Sequence, residues 1–319
     1  MYTFKLLLST IGIIGAVLAP SPARCSSPPI KEGQFYLTTA DGVTIFVRHK
    51  YTTRAHKVPV LLVHGTWGNS QTWDFPGRSV MDYLAVRGYD TYALDMRGMG
   101  MSARPASYFT IGLPQRVGDV AAVATYILST TGRQPVVIGH SQGAWVTTLL
   151  AASHPELVAG VGLSGMPGNG LYTTPDLIAL LQAVIASGTD RVALPPEIAY
   201  LLAFGHDPVT GSPTVNAETF QTFYGMLEAD SILAIAQQGL PGFFESVMAP
   251  AVSAVHVRAL VVDGAYDFQV GEARATALYN ALGSQQKQLL IFPRNTHFWF
   301  LEDNFHATMR AFDEFLSGF

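Results

Sequence analysis

Short apolar runs alternate with stretches of helical periodicity along most of this 319-residue chain. Val58–Val63 is a continuous run of Val and Leu with one Pro, which suits a strand buried on both faces, as in a parallel sheet. Thr91–Leu94, Pro135–Ile138, Val158–Leu163, Ala259–Val262 and Gln288–Phe292 read as further strands. Helices are expected between them. Ser79–Val86 starts with Ser79 and Asp82 at capping-box spacing and ends before Gly88. Val120, Val123, Ile127 and Leu128 recur at helical spacing, and Gly132 closes that helix. Gln142–Ser153 stops before Pro155, Ala273–Leu282 stops at Gly283, and Asn304–Phe315 places Met309, Phe312 and Phe315 on one side. Upstream, Phe35–Thr39 and Val43–Arg48 flank Asp41-Gly42, a hairpin signal. Repeated β-α units of this kind predict an α/β fold with a mostly parallel central sheet flanked by helices.

One stretch breaks the rhythm. From Met166 to Val255 no buried strand is evident, and Pro175–Ile185, Pro196–Phe204, Ala217–Leu227 and Ser231–Gln238 read as short helices. So long a connection predicts a helical lid at 166–255, inserted into a core formed by 26–165 and 256–319. The composition supports a substantial core, with 49% hydrophobic and 13% charged residues. The net charge of -4 is small and no basic run occurs, so a nucleic-acid partner is not expected.

The N-terminus carries Lys5, the uncharged run Leu6–Ala19, then Pro20 and the small residues Ser21 and Ala23. This is the layout of a secretory signal peptide, assigned to 1–25. The run is short for a hydrocarbon core of ~30 Å, so no stable membrane anchor is expected after cleavage. A secreted or periplasmic location follows as an expectation. Cys25 is the single cysteine, so the mature protein would hold no intramolecular disulfide, and no Asn lies in an N-x-[ST] sequon.

The strongest chemical signal is Gly139-His140-Ser141-Gln142-Gly143, between a predicted strand and a predicted helix. G-x-S-x-G in that context is a nucleophile elbow, which needs a strained Ser backbone and flanking glycines for close approach. A serine hydroxyl also needs a base, and the base needs an orienting group. Asp267 and His297 each lie just past the end of a predicted strand, where open α/β sheets build their sites. They are the expected acid and base, with Asp263 as the competing acid. His64, His140, His154 and His206 read as structural. The oxyanion donors are expected to be the backbone N–H of Gln142 and of Thr66, with Trp67 as the alternative to Thr66. Trp67, Trp145, Phe298 and Trp299 lie near these positions in sequence. Trp67, Trp145 and Phe298 are expected to line an apolar substrate site. No Cys/His cluster has metal-ligand spacing, and no metal or organic cofactor is implied.

With these residues in view, the chain resembles the α/β-hydrolase superfamily, near its lid-bearing esterase and haloperoxidase-like branches, over residues 34 to 318. The resemblance rests on His64-Gly65, on Asp95-Met96-Arg97-Gly98-Met99-Gly100-Met101-Ser102, on the elbow at Ser141, and on Asp267 and His297. It implies that Arg97 and the glycines near it shape the wall of the site. Relatives with other chemistries carry Asp or Cys at the elbow, so Ser141 implies acyl transfer through an acyl-enzyme. The expected activity is hydrolysis of an apolar carboxylic ester or lactone. A non-hydrolytic lyase, cyclase or acyltransferase, and an amide or C–C bond hydrolase, are the alternatives.

Overall fold

A computed structural model describes residues 28–166, 175–239 and 242–319. The expected signal segment lies outside the described residues. In chain order the elements begin with a hairpin, β1 (Lys31–Thr38) and β2 (Thr44–Tyr51). There follow β3 (Pro59–Val63), α1 (Val80–Ala85), β4 (Asp90–Leu94), α2 (Leu113–Thr131), β5 (Val136–His140), α3 (Gln142–Ser153) and β6 (Gly160–Ser164). A long insertion then carries α4 (Pro175–Ala186), β7 (Arg191–Val192), α5 (Pro196–Ala203), α6 (Ala217–Tyr224), β8 (Asp230–Ser231), α7 (Ile232–Gly239) and α8 (Ala249–Ala254). The chain returns to the sheet with β9 (Arg258–Gly264), α9 (Gly271–Ala281), β10 (Lys287–Phe292) and α10 (Phe305–Leu316).

The main sheet has eight strands in the order β1-β2-β4-β3-β5-β6-β9-β10. The hairpin pairs antiparallel within itself and against β4, and every later pairing is parallel. The expected mostly parallel sheet flanked by helices is therefore present. Alternation along β3 shows why its sequence is apolar throughout. Leu61 and Val63 point into one core with Val120, Val123 and Leu150 from α2 and α3, whereas Val60 and Leu62 point into another with Leu84, Met309 and Phe312 from α1 and α10. A strand covered on both faces has no side left for polar residues.

Local expectations are met with one informative difference. Ser79 caps α1 by accepting from the Asp82 N–H at 2.9 Å. The reciprocal half of the capping box is absent, because the Asp82 carboxylate accepts from Lys50 Nζ at 2.8 Å instead. A tertiary cation outcompetes the local amide.

The insertion is helical, and its helices fall close to the expected segments. Its last part differs from the rest: Met248, Val252 and Val255 join the core beneath α3 and α9. Gly242 and Pro250 conceal this helix in the sequence, although proline is tolerated in a first turn. The two-residue ladder of β7 and β8 pairs Arg191 with Ser231 and Val192 with Asp230.

Candidate active site

Ser141 sits between β5 and α3 with φ 53° and ψ -120°. A side-chain-bearing residue pays about 1–3 kcal/mol to adopt such a conformation, and surrounding structure must impose it. Here the Ser141 N–H donates to the Ser164 carbonyl at 2.7 Å, continuing the β5–β6 ladder through the turn. Two glycines make room. A Cβ at Gly143 would collide with the carbonyl oxygens of Val63 and His64, and one at Gly65 would lie 2.9 Å from Ser141 Cβ. The strand-turn-helix geometry expected from G-H-S-Q-G is thus what holds the serine in place.

Asp267 and His297 emerge from the loops after β9 and β10. Their side chains meet at 2.6 Å through His297 Nδ1 and Asp267 Oδ2, both buried. Asp267 Oδ1 accepts from the N–H groups of Gln269 at 2.7 Å and Val270 at 3.2 Å. Burial alone would raise this carboxyl. The charge and hydrogen bond of His297, with the N–H of Gln269, hold it below the ordinary carboxylate range. An ionised Asp267 fixes the proton of His297 on Nδ1 and leaves Nε2 as the free ring nitrogen. His297 and Ser141 line one cavity. No hydrogen bond joins them among the described residues; such contacts commonly tighten only with substrate bound.

The competing acid occupies a different environment. Asp263 lies on β9, Oδ1 accepts from Gly264 N at 2.8 Å, and Oδ2 is buried without a partner among the described residues. Burial and the neighbouring Asp267 charge push its carboxyl well above the ordinary range. His140 is also buried, its Nδ1 3.1 Å from Ser164 Oγ and its ring centroid 4.6 Å from that of His297. Burial and His297 keep it neutral by lowering its pKa well below 6.5. His64 is likewise internal, with Nδ1 2.8 Å from the Gly65 carbonyl and Nε2 accepting from Met96 N at 3.0 Å.

The two expected donors and their alternative separate by hydrogen bonding. The Trp67 N–H already donates to Asp230 Oδ2 at 3.2 Å. The backbone N–H groups of Thr66 and Gln142 have no protein acceptor among the described residues. Thr66 lines the cavity, and Gln142 is the first residue of α3, where amides lack intrahelical partners. Thr66 and Gln142 are therefore the available pair.

Three residues near this site escaped the sequence reading. Asp230 and Arg116 are fully buried and paired, and Arg116 also donates to Gln142 Oε1. Glu302 is buried and accepts from the Thr296 N–H at 2.7 Å, one residue before His297. Burial lifts its carboxyl to about 7, against hydrogen bonds from Thr296 that lower it. A charged residue at an otherwise apolar helical position, as Arg116 is between Leu113 and Val120, was the one local signal available.

The cavity together with the open space at its mouth spans about 520 Å³. Leu194, Ala199, Leu202, Phe223 and Ile235 from the insertion line it opposite Gly65, Thr66 and Ser141. Trp67 and Phe298 lie on its wall. His297 is the one ionisable side chain on its wall among the described residues. Trp145 does not reach it. That residue is fully buried under α3, stacked 6.5 Å from Phe243 and edge-on 5.8 Å from Phe244. One helical turn carries Trp145 away from the nucleophile, so closeness in sequence misplaces it. The segment from Asp95 to Ser102 also needs correction as a site wall. Arg97 pairs with Asp41 of the hairpin turn and Asp119 of α2, at 2.7 Å each, and neither it nor the nearby glycines line the cavity.

Comparison with known proteins adds three findings. The profile described as "Alpha/beta hydrolase family" matches residues 60–311. Among curated proteins, epoxide hydrolase B of Mycobacterium tuberculosis is 32% identical over 120 residues, covering 34% of this chain and 32% of that protein. Lipase 3 of Drosophila melanogaster is 28% identical over 177 residues, covering 48% of this chain and 44% of that one. These alignments span less than half of each relative. Among solved structures, a thermophilic esterase from Thermogutta terrifontis aligns with a TM-score of 0.68 at 18% identity, covering 90% of this chain and 98% of the esterase. The enol-lactonase from Burkholderia xenovorans LB400 gives 0.66 at 15% identity, covering 89% and 100%. At such identities the likeness establishes the fold.

Proposed function

The chain belongs to the alpha/beta hydrolase family, and from that premise we propose that it is a serine hydrolase of carboxylic esters or lactones. The observation that carries this reading is the buried Asp267–His297 pair sharing a cavity with a strained Ser141. In the first step Ser141 Oγ attacks the substrate carbonyl and its proton passes to His297 Nε2. Asp267 stabilises the imidazolium and keeps the ring oriented. The N–H groups of Thr66 and Gln142 hold the oxygen that gains charge. When the carbon–oxygen bond breaks, the leaving alkoxide takes the proton from His297. Water then attacks the acyl-enzyme with the same base, and the acid departs with Ser141 restored.

The cavity wall supports an uncharged, apolar substrate. Among the described residues no cationic side chain lines the cavity beside His297 to offset the desolvation of an anionic acyl group. Solved relatives described as an esterase and an enol-lactonase support the same bond classes. The helices roofing the cavity would serve as a lid, and the leader 1–25 would direct export to the periplasm or medium.

Hydrolysis of p-nitrophenyl esters of graded acyl length, with Ser141→Ala alongside, tests this reading. Turnover by the wild type and a loss of roughly 10⁴-fold or more in the variant are expected. Equal rates in both would remove Ser141 from the mechanism. Absence of turnover by a folded wild type on every ester and lactone offered would remove the hydrolase.

A further inference from the structure

Asp230 lies on the insertion at β8, and Arg116 lies on α2 in the hydrolase core. They pair with no exposed surface on either side chain. Every oxygen of the carboxylate is committed. Oδ1 accepts from Arg116 Nη2 and from Ser231 N at 2.6 Å, and Oδ2 accepts from Arg116 Nη1 and Trp67 N, each at 3.2 Å. The guanidinium in turn donates through Nη1 to the Gln142 side-chain carbonyl. The pair therefore touches the residue after Thr66 and the residue after Ser141 simultaneously. Those two residues adjoin, or contain, both candidate oxyanion donors.

Trp67 needs such support. Its φ of 61° is one of two positive values among side-chain-bearing described residues, the other being Ser141. Three bonds from the insertion fix it: its N–H to Asp230, its carbonyl from the Glu228 N–H at 2.8 Å, and its Nε1 to the Val192 carbonyl at 2.9 Å. With the Trp67 N–H turned to Asp230, the Thr66 N–H is left for the cavity. A buried ion pair is a poor source of stability, since desolvating both charges offsets their attraction. Holding geometry explains its placement better.

We propose that Arg116 and Asp230 are positioning residues that set the oxyanion site, fastening the insertion to both of its donors. This rests on the serine hydrolase reading and specifies how its oxyanion site is built. The insertion would then be partly a fixed strap, with β8 a required part of the catalytic apparatus.

The test compares wild type, Arg116→Met/Asp230→Leu and Arg116→Lys. The double variant removes both charges and keeps comparable volume, so no unpaired charge is left buried. Arg116→Lys keeps the charge but loses the fork that reaches Asp230 and Gln142 together. Steady-state kinetics on a short p-nitrophenyl ester and the rate of Ser141 phosphonylation by a fluorophosphonate are both read on folded protein. The expected result is a fall in kcat of roughly 100-fold in the double variant, with KM within about threefold and phosphonylation slowed in parallel. A folded double variant with wild-type kcat and labelling overturns the positioning role. Should the double variant fail to fold, Arg116→Lys decides alone: a kcat loss of about tenfold or more at unchanged KM supports the role, and wild-type kcat overturns it. A wild type that neither turns over ester nor labels at Ser141 overturns the hydrolase reading, and the positioning role with it.

Discussion

Asp267 and His297 form one buried acid–base pair near Ser141, and Arg116 and Asp230 form another. The first opens onto the cavity through the His297 ring and has a partner that can gain and lose a proton. The second is sealed on all sides, and the Arg116 charge holds the Asp230 carboxyl below the ordinary range against the effect of burial. Asp267 is served by two backbone N–H groups of its own loop, at Gln269 and Val270, whereas Asp230 reaches across the chain to Trp67. Proton transfer needs a titrating group at the cavity wall. Holding two loops in register needs a pair kept together away from the cavity and from solvent. The difference in exposure and chemistry between these pairs separates a part that reacts from a part that aligns.

The comparison breaks most readily at the acid. Asp267→Asn is expected to lower kcat by roughly 10⁴-fold, because an amide cannot stabilise the imidazolium or hold its tautomer. Asp263→Asn, replacing a carboxyl that burial and the Asp267 charge already push well above the ordinary range, is expected to change kcat by less than about tenfold. Comparable losses in both would mean that the acids act as one unit. Stability should invert this order. Asp230→Ala strands the buried Arg116 charge and is expected to cost about 3–5 kcal/mol in urea unfolding. His297→Ala leaves the buried Asp267 carboxyl without its ring partner but able to take up a proton, and is expected to cost less, about 1–3 kcal/mol. Equal costs would erase the distinction.

A smaller effect comes from Glu302, which braces Thr296 beside His297. Its carboxyl rises from an ordinary 4.5 to about 7 in the folded protein. Between those values the folded chain keeps a proton that the unfolded chain releases. Stability therefore falls as pH rises from about 4.5 to 7 and levels off above. Glu302→Gln is expected to flatten that slope, removing on the order of 2 kcal/mol of change between pH 5 and 7.5 in denaturant titrations. An unchanged slope in the variant would assign the pH dependence elsewhere.

What the sequence displays depends on how local each constraint is. The eight-stranded sheet was largely legible, because strands such as β3 carry their two-sided burial in their own residues. Ser141 was legible for the same reason: the elbow is a five-residue pattern between a strand and a helix. His297 and Asp267 followed from their places after strand ends. Thr66 was placed ahead of Trp67 by its position in the loop, but the hydrogen bond that occupies the Trp67 N–H was not legible, since it comes from Asp230, 163 residues away from Trp67. Trp145 was misplaced because nearness along the chain says little about direction once a helix begins. Phe298 and Trp299 make the same point side by side: one lines the cavity, and the other turns inward so that its Nε1 donates to Ser164 Oγ at 2.8 Å.

The most direct measurement is mass-spectrometric mapping of the residue modified when folded wild-type protein meets a fluorophosphonate. A single adduct on Ser141, formed far more slowly in Asp267→Asn and absent from unfolded chain, is the expected result. A folded protein that stays unmodified, or carries its adduct elsewhere with Ser141 intact, would contradict a nucleophile at the elbow.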